Sequence, residues 1–386
     1  MAKYTLDQLI RKFAGLEGTD MYLTFGCCPS IRVADKIIRL FDDVLDDETI
    51  ESLLHEILDD DQIDEFTSTM EYNAPIQWQD QGRYRINILR QQQHTGIVLR
   101  RIRSDIPTVE SLNLPKVYSE LIMEMRGLVL VVGATGAGKS SSLAAMIGHR
   151  NRNGYGHILT IEDPIEFVHE HKGCIITQRD IGIDTYSFGM ALKNALRQRP
   201  DVVLIGEIRD RETMEHALNF SETGHLCVAT LHSGNSCQAI EHILNFFPEE
   251  RHKQISYNLS YNLLGLLSQR LVLTTTGTRT VATEVMLNRG FIRTLIQENK
   301  LKEIPDIMSK NSNEGMHTFE QSLYRLFADG IISEEVAISE ADNPANIQLL
   351  IRKQQGTRKG TVVGGSTLPP PMRSAEPAFA NRPKDF

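Results

Sequence analysis

Eight residues constrain this chain more than any others: Gly133-Ala134-Thr135-Gly136-Ala137-Gly138-Lys139-Ser140. They fit the pattern G-x-x-x-x-G-K-[ST], and their surroundings are those the pattern needs. Leu128-Val-Leu-Val-Val132 is an unbroken apolar run, as a buried parallel strand shows, and Ser141-Ser-Leu-Ala-Ala-Met-Ile147 starts a helix. Glycines at 133, 136 and 138 let the backbone turn so that successive N–H groups point inward at an anion's oxygens. The helix that follows presents its positive end to the same point. Gly133 through Ser141 are therefore the candidate nucleotide-binding residues, with Lys139 reaching the β- and γ-phosphates of ATP and the Ser140 hydroxyl ligating Mg²⁺.

Three further segments carry chemistry. Asp201-Val-Val-Leu-Ile205 reads as a second buried strand, and it ends at Gly206-Glu207-Ile-Arg-Asp210. An Asp usually closes such a strand and helps hold Mg²⁺; here Gly206 takes its place, so Glu207 is the candidate metal carboxylate. Ile158-Leu-Thr-Ile-Glu162-Asp163-Pro164-Ile-Glu166 runs a β-rich segment into three carboxylates around a proline. Glu166 is the choice for the carboxylate that polarises the attacking water, with Glu162 and Asp163 orienting the shell and Glu207 the alternative base. His225 and His232 flank the apolar run Leu226–Leu231, without the cysteine or carboxylate set a zinc site needs. Both are nucleotide-site candidates, His232 as the sensor of the γ-phosphate.

The rest of the chain is uneven. Phe41 to Gly82 contains no Lys or Arg but fourteen acids, and Ile50, Leu53, Leu54, Ile57 and Leu58 recur at helical spacing within it. That reads as an amphipathic helix with a solvated acidic face. Arg83–Arg90 alternates with period two and Gly96–Arg103 reads as another strand, so residues 1–103 are expected to form a small α+β domain. Residues 104–112 form the linker, 113–350 the nucleotide-binding α/β domain, and 351–386 a disordered basic tail rich in Pro and Gly. The tail carries seven Lys and Arg against Glu376 and Asp385, so the formal charge of −9 divides into an acidic folded part and a basic appendage. No apolar run approaches the roughly 18 residues of a membrane span, and the N-terminus has no signal-peptide pattern. Five cysteines with no C-x-x-C pair suit a reducing compartment.

The four motifs, in this order, resemble those of the secretion-ATPase superfamily that drives type II secretion and type IV pili. In its terms they are Walker A (133–140), the Asp box (158–168), an atypical Walker B (201–210) and the His box (223–234). The long N-terminal extension and four-cysteine module of the extension and secretion branches are absent. The segments Gly133-Ala-Thr-Gly136, Val98–Ile102, Gly173–Arg179 and Thr223–His232 are similar to the retraction branch, the PilT/PilU family, and within it to the accessory members. Motor members of the branch usually carry Pro at position 134 and a basic A-I-R motif where this chain has Gly290-Phe-Ile-Arg293.

The resemblance implies a PAS-like N-terminal domain followed by a RecA-like P-loop ATPase, assembled as a homohexamer. Nucleotide would lie between the two domains and beside the next subunit, with arginine fingers at Arg85 and Arg100; Arg100 rather than Arg101 rests on family alignment alone. It also implies pilus retraction and twitching motility powered from the cytoplasmic side of the inner membrane. The partners would be a PilT-like retraction ATPase and a PilC-like platform protein, without nucleic acid. Two alternatives remain: a secretion or DNA-transfer ATPase of the same superfamily, which would need a basic DNA-facing surface, and a non-catalytic ring subunit acting through a motor partner.

Overall fold

The N-terminal unit is a sheet with helices on one face only. The structure, a computed structural model, describes residues 3–16, 18–33, 36–102, 105–311 and 315–360. Helix α1 (Leu6–Gly15) starts from a capping box between Thr5 and Gln8 and buries Leu6, Leu9, Ile10 and Phe13. It leads into β1 (Asp20–Thr24), β2 (Ser30–Val33) and β3 (Lys36–Arg39). Helices α2 (Asp47–Ile57) and α3 (Asp60–Thr69) follow, then β4 (Glu71–Gln77), β5 (Arg83–Gln91) and β6 (His94–Ile102). The strands lie in the order β3-β2-β1-β6-β5-β4.

As the periodicity predicts, α2 buries Ile50, Leu53 and Leu54 and turns its acids outward. Two of the acids do more than face water. Asp46 and Asp59 cap the N-termini of α2 and α3, accepting from the backbone N–H of Thr49 and Gln62. The helices cover the sheet face that carries Met21, Leu23, Ile31, Tyr84, Ile86 and Leu99. On the opposite face, cross-strand partners line up in one row: Pro75, Arg85, Arg100, Asp20 and Arg32.

The connecting residues join the second unit sooner than their composition suggests. Val109 and Leu114 already lie in its core, alongside α4 (Val117–Leu121), so the expected linker of 104–112 packs from Val109 onward. Residues 103 and 104 fall outside the described residues. Then come β7 (Gly127–Val132), α5 (Lys139–Asn153), β8 (Gly156–Glu162), β9 (Cys174–Asp180), α6 (Phe188–Ala195) and β10 (Val202–Ile205). They are followed by α7 (Arg211–Glu222), β11 (Leu226–Leu231), α8 (Ser236–Asn245), α9 (Glu249–Asn262), β12 (Leu263–Leu273) and β13 (Arg279–Leu287).

The sheet order is β13-β12-β7-β11-β10-β8-β9, parallel except for β13. Every residue of β7, β10 and β11 is buried, as strands covered on both faces must be. In a parallel sheet all C-terminal strand ends share one edge, and loops of β7, β8, β10 and β11 gather there.

After α10 (Phe291–Gln297) and α11 (Ile304–Lys310), a small lobe of α12 (Phe319–Ala328), α13 (Glu334–Ser339) and α14 (Pro344–Gly360) packs on the ends of β12 and β13 through Val272 and Ala282. This moves the expected start of the tail. Ile347 and Ile351 are buried in the lobe, and α14 runs through Gly360 rather than stopping before 351. The remainder of the expected disordered tail, 361–386, lies outside the described residues. Among the described residues no helix is long and apolar enough to cross a membrane.

Candidate nucleotide site

The loop between β7 and α5 has the backbone that its glycines were expected to supply. Gly133, Gly136 and Gly138 have φ of 158°, 78° and 85°. A Cβ on Gly133 would stand 2.6 Å from the carbonyl oxygen of Gln269 on β12, so only glycine lets the loop pass. Gly138 occupies the N-cap of α5 and supplies no side-chain cap, leaving the first-turn N–H groups directed at the loop's concave side. The resulting cleft, about 440 Å³, is bounded by this loop, Ser140 and Ser141, the Asp-box carboxylates, Glu207 and His232.

One chain of contacts links all four motifs. Buried Lys139 donates through Nζ to the carbonyls of Gly133 and Ala134 at 2.8 and 3.0 Å and lies 3.4 Å from His232 Nδ1. His232 Nε2 is 2.9 Å from Glu207 Oε1. An ammonium donating to Nδ1 and a carboxylate accepting from Nε2 assign the neutral tautomer with its proton on Nε2. Arg209 then pairs with the second Glu207 oxygen at 2.7 Å and reaches Asp163 at 3.5 Å. Burial lowers the Lys139 pKa, while the charges of Glu207 and Glu166 oppose that shift.

The atypical Walker B has a steric reason. A Cβ at Gly206 would lie 3.1 Å from Glu162 Cα and 3.3 Å from the Ile161 carbonyl, because β10 and β8 converge there. The Gly206 carbonyl accepts from Thr230 Oγ1 at 2.5 Å, so the peptide is fixed on both sides. An acid at 206 would crowd the neighbouring strand; Glu207, one residue later, reaches the cleft instead.

The Asp box supplies acids in three different settings. Glu162 accepts from Thr160 Oγ1 at 2.6 Å and Gln178 Nε2 at 3.3 Å. Desolvation nevertheless pushes its carboxyl up to about 7, against those hydrogen bonds. Asp163 precedes a cis peptide to Pro164 and meets Arg209. Glu166 is exposed on the cleft wall and makes no hydrogen bond or ion pair among the described residues.

The raised Glu162 carboxyl gives a pH prediction. Between about 4.5 and about 7 the folded chain keeps a proton that the unfolded chain has released, so this group lowers stability as pH rises through that window. Glu162→Gln should therefore melt higher than the parent at pH 8, with the gap closing toward pH 5. Thermal melts across that range check it, and a gap independent of pH would refute it.

Not every expected residue reaches the cleft. His225 precedes the N-terminal end of β11, where Leu226 pairs with Gly127, whereas Leu231 at the other end pairs with Val132 beside the phosphate loop. Six residues of strand put His225 about 20 Å away, where its Nδ1 sits near Thr223 Oγ1 and the Phe220 carbonyl. It belongs to the far edge of the sheet, correcting its expected place beside the same nucleotide.

Ala134 faces an adjoining hollow, and Ala137 is buried. Arg85 and Arg100 stand side by side on the open face of the N-terminal sheet. Arg100 Nε donates to Asp20 at 2.7 Å, and the Arg85 charge acts on Asp180, the residue that pairs with Glu162 at the end of β9. Sequence reasoning passed over Arg209, Thr160 and Gln178. All three lie inside motif segments, Arg209 in 201–210, Thr160 in 158–168 and Gln178 in 173–179, but nothing local marks them as partners of the cleft carboxylates.

The donors suit a magnesium–nucleotide complex. They are hydroxyl and carboxylate oxygens, and no cluster of three or more His, Cys, Asp or Glu among the described residues is arranged to hold a metal alone. Mg²⁺ typically takes few protein ligands and completes its shell with phosphate oxygens and water, so Ser140 and Glu207 would be its contacts here.

A parallel sheet with a glycine-cradled helix N-terminus, a loop lysine and carboxylates on adjacent strand ends defines a P-loop nucleotide-binding protein. The chain belongs to the family of type II/IV secretion system proteins, which it matches over residues 71–335. It is 44% identical to the type IV pilus ATPase PilU of Pseudomonas aeruginosa, covering 90% of this chain and 91% of that protein. To the pilus retraction ATPase PilT of the same organism it is 38% identical, over 86% of this chain and 97% of the other. The crystal structure of the pilus retraction motor PilT with bound ADP superposes with a TM-score of 0.85 at 35% identity, covering 90% of this chain and all of that one. The arrangement that the resemblance implies, a small N-terminal sheet domain followed by a parallel-sheet ATPase domain, is thus the fold of this chain.

Proposed function

We propose that this chain hydrolyses ATP as one subunit of a homohexameric ring that drives type IV pilus retraction as an accessory to a PilT-like motor. The observation that carries the reading is the continuous contact chain from Lys139 through His232, Glu207 and Arg209 to Asp163, which joins the phosphate loop to all three other motifs. Such a chain makes the carboxylates respond to the charge held in the loop.

In this reading Lys139 leaves the Gly133 and Ala134 carbonyls to meet the β- and γ-phosphates, while the N–H groups at the start of α5 hold the same oxygens. Mg²⁺ at Ser140 and Glu207 would offset charge on the phosphates. Glu166 accepts a proton from water positioned for in-line attack on the γ-phosphorus, and the bond to the β–γ bridging oxygen breaks toward ADP. His232 reports the loss of the γ-phosphate to Glu207 and Arg209. Arg85 and Arg100 donate to phosphate oxygens as charge develops. Sequential closure around the ring moves an inner-membrane platform protein of the PilC type from the cytoplasmic side.

The accessory assignment draws on the likeness to PilU and on Gly290-Phe-Ile-Arg293. That segment opens α10 with Phe291 exposed and Arg293 over the Tyr261 ring at 5.7 Å.

Steady-state hydrolysis by the purified chain, alone and with a PilT-like ATPase, tests the proposal. Turnover alone, raised by the partner, is expected. No turnover in either condition would favour a non-catalytic ring subunit.

A further inference from the structure

The turn after His232 is fastened to the C-terminal end of the described chain. β12 passes beside the phosphate loop, where two consecutive residues point to opposite faces of the sheet. Gln269 Nε2 donates to the Ala137 carbonyl at 2.7 Å and so braces the loop itself. Arg270 turns the other way. Its Nη2 donates to the Gly234 carbonyl at 3.1 Å, two residues past His232. Its Nη1 donates to the Glu340 carbonyl at 2.5 Å, at the C-cap of α13, and the Asp342 carboxylate accepts from the same guanidinium. The Phe319 ring of α12 lies 4.0 Å beneath it.

Asp342 closes the circuit. Its second oxygen accepts from Asn235 Nδ2 at 2.8 Å, while the Asn235 side-chain oxygen caps α8 by accepting from the Gln238 N–H. The next residue, Ser236, is held by the buried Glu284, which accepts from its backbone N–H and its hydroxyl at 2.7 Å each. The turn from His232 to Ser236 is therefore pinned at one end by the cleft and at the other by the C-terminal lobe.

We propose that Arg270 and Asp342 form a clamp that sets the position of the His232–Ser236 turn, making the α12–α14 lobe a determinant of ATP turnover. Neither residue belongs to the contact chain in the cleft; both act through His232 and are positioning residues. A planar guanidinium serves several fixed acceptors at once, which a lysine ammonium on a flexible stem does not reproduce. The inference rests on the ATPase reading above, so its test includes a readout that does not need hydrolysis.

Asp342→Asn keeps an oxygen for Arg270 but turns an amide toward the Asn235 amide, donor against donor. Adding Asn235→Asp reverses the pair and restores the bond, and Asp caps a helix about as well as Asn. In the full chain, Asp342→Asn and Arg270→Lys should lower kcat about tenfold with the ATP KM within about threefold, as expected of a displaced rather than a missing group. Both should speed backbone hydrogen exchange in 231–238 in nucleotide-free protein while α12–α14 stay protected. The exchange pair Asn235→Asp/Asp342→Asn should return both quantities toward the parent.

Parental kcat and parental exchange in the single variants overturn the clamp. Faster exchange with unchanged kcat overturns its link to turnover. A parent that hydrolyses no ATP overturns the ATPase reading, and the exchange pattern still decides whether the clamp holds the turn.

Discussion

Lys139→Ala should reduce kcat/KM for ATP by at least about a thousandfold, some 4 kcal/mol of transition-state stabilisation, while the protein melts within a few degrees of the parent. Loss of function follows from position: Lys139 is the loop's cation, buried at the head of α5 and within reach of the carbonyls that bound the phosphate cradle. The mild effect on stability follows from opposing terms. Removing the ammonium gives up two hydrogen bonds to carbonyls, but it also removes a charge whose burial already lowers its pKa. Steady-state kinetics and a thermal melt on the same preparation measure both. Retained turnover would take the phosphate loop out of the mechanism.

Glu166→Gln should lower kcat by about a hundredfold or more while nucleotide and Mg²⁺ affinities stay near the parent's. Glu207→Gln should behave differently. Glu207 is already engaged by His232 and Arg209, so neutralising it uncouples the two and weakens Mg²⁺ binding as well as turnover. Glu166, exposed on the cleft wall with no partner among the described residues, has a carboxylate available to a water. Titrating Mg²⁺ against turnover in both variants separates the roles. A Glu166→Gln protein with near-normal kcat and lost Mg²⁺ affinity would exchange them.

The parts of the site that could be read from sequence are those in which one short segment carries both the chemistry and the backbone that aims it. Gly133 to Ser140 is such a segment, and so is Glu162 to Glu166, because each sits at the end of a strand whose apolar run is visible on its own. His225 misled because spacing says nothing about direction. The two histidines bracket β11, and in a parallel sheet the ends of one strand belong to opposite edges, so only His232 shares an edge with the phosphate loop.

Glu207 was legible as a carboxylate, whereas the reason for Gly206 was not: the convergence of β8 and β10 exists only in the folded sheet. Gln178 reaches Glu162 from the neighbouring strand, and Arg270 meets Asp342 across 72 positions, distances at which no local pattern forms. The C-terminal boundary slipped for a similar reason. Residues from 351 onward look like tail by composition, but Ile347 and Ile351 are buried on one side of α14, which packs on α12 and α13.

In the N-terminal sheet, Arg85 and Arg100 occupy directly opposite positions on β5 and β6, and of the two it is Arg100 that is bonded to Asp20. Like charges so placed repel. The strands hold them together because the hydrophobic residues on the reverse face, Tyr84, Ile86 and Leu99, fix the register. In the function proposed above, this surface would serve as a gauge of charge. A polyanion entering between the two guanidinium groups relieves their repulsion, and the relief grows with the negative charge it brings. A guest that sheds a phosphoryl group loses part of its welcome with it, and raising the ionic strength dulls the distinction.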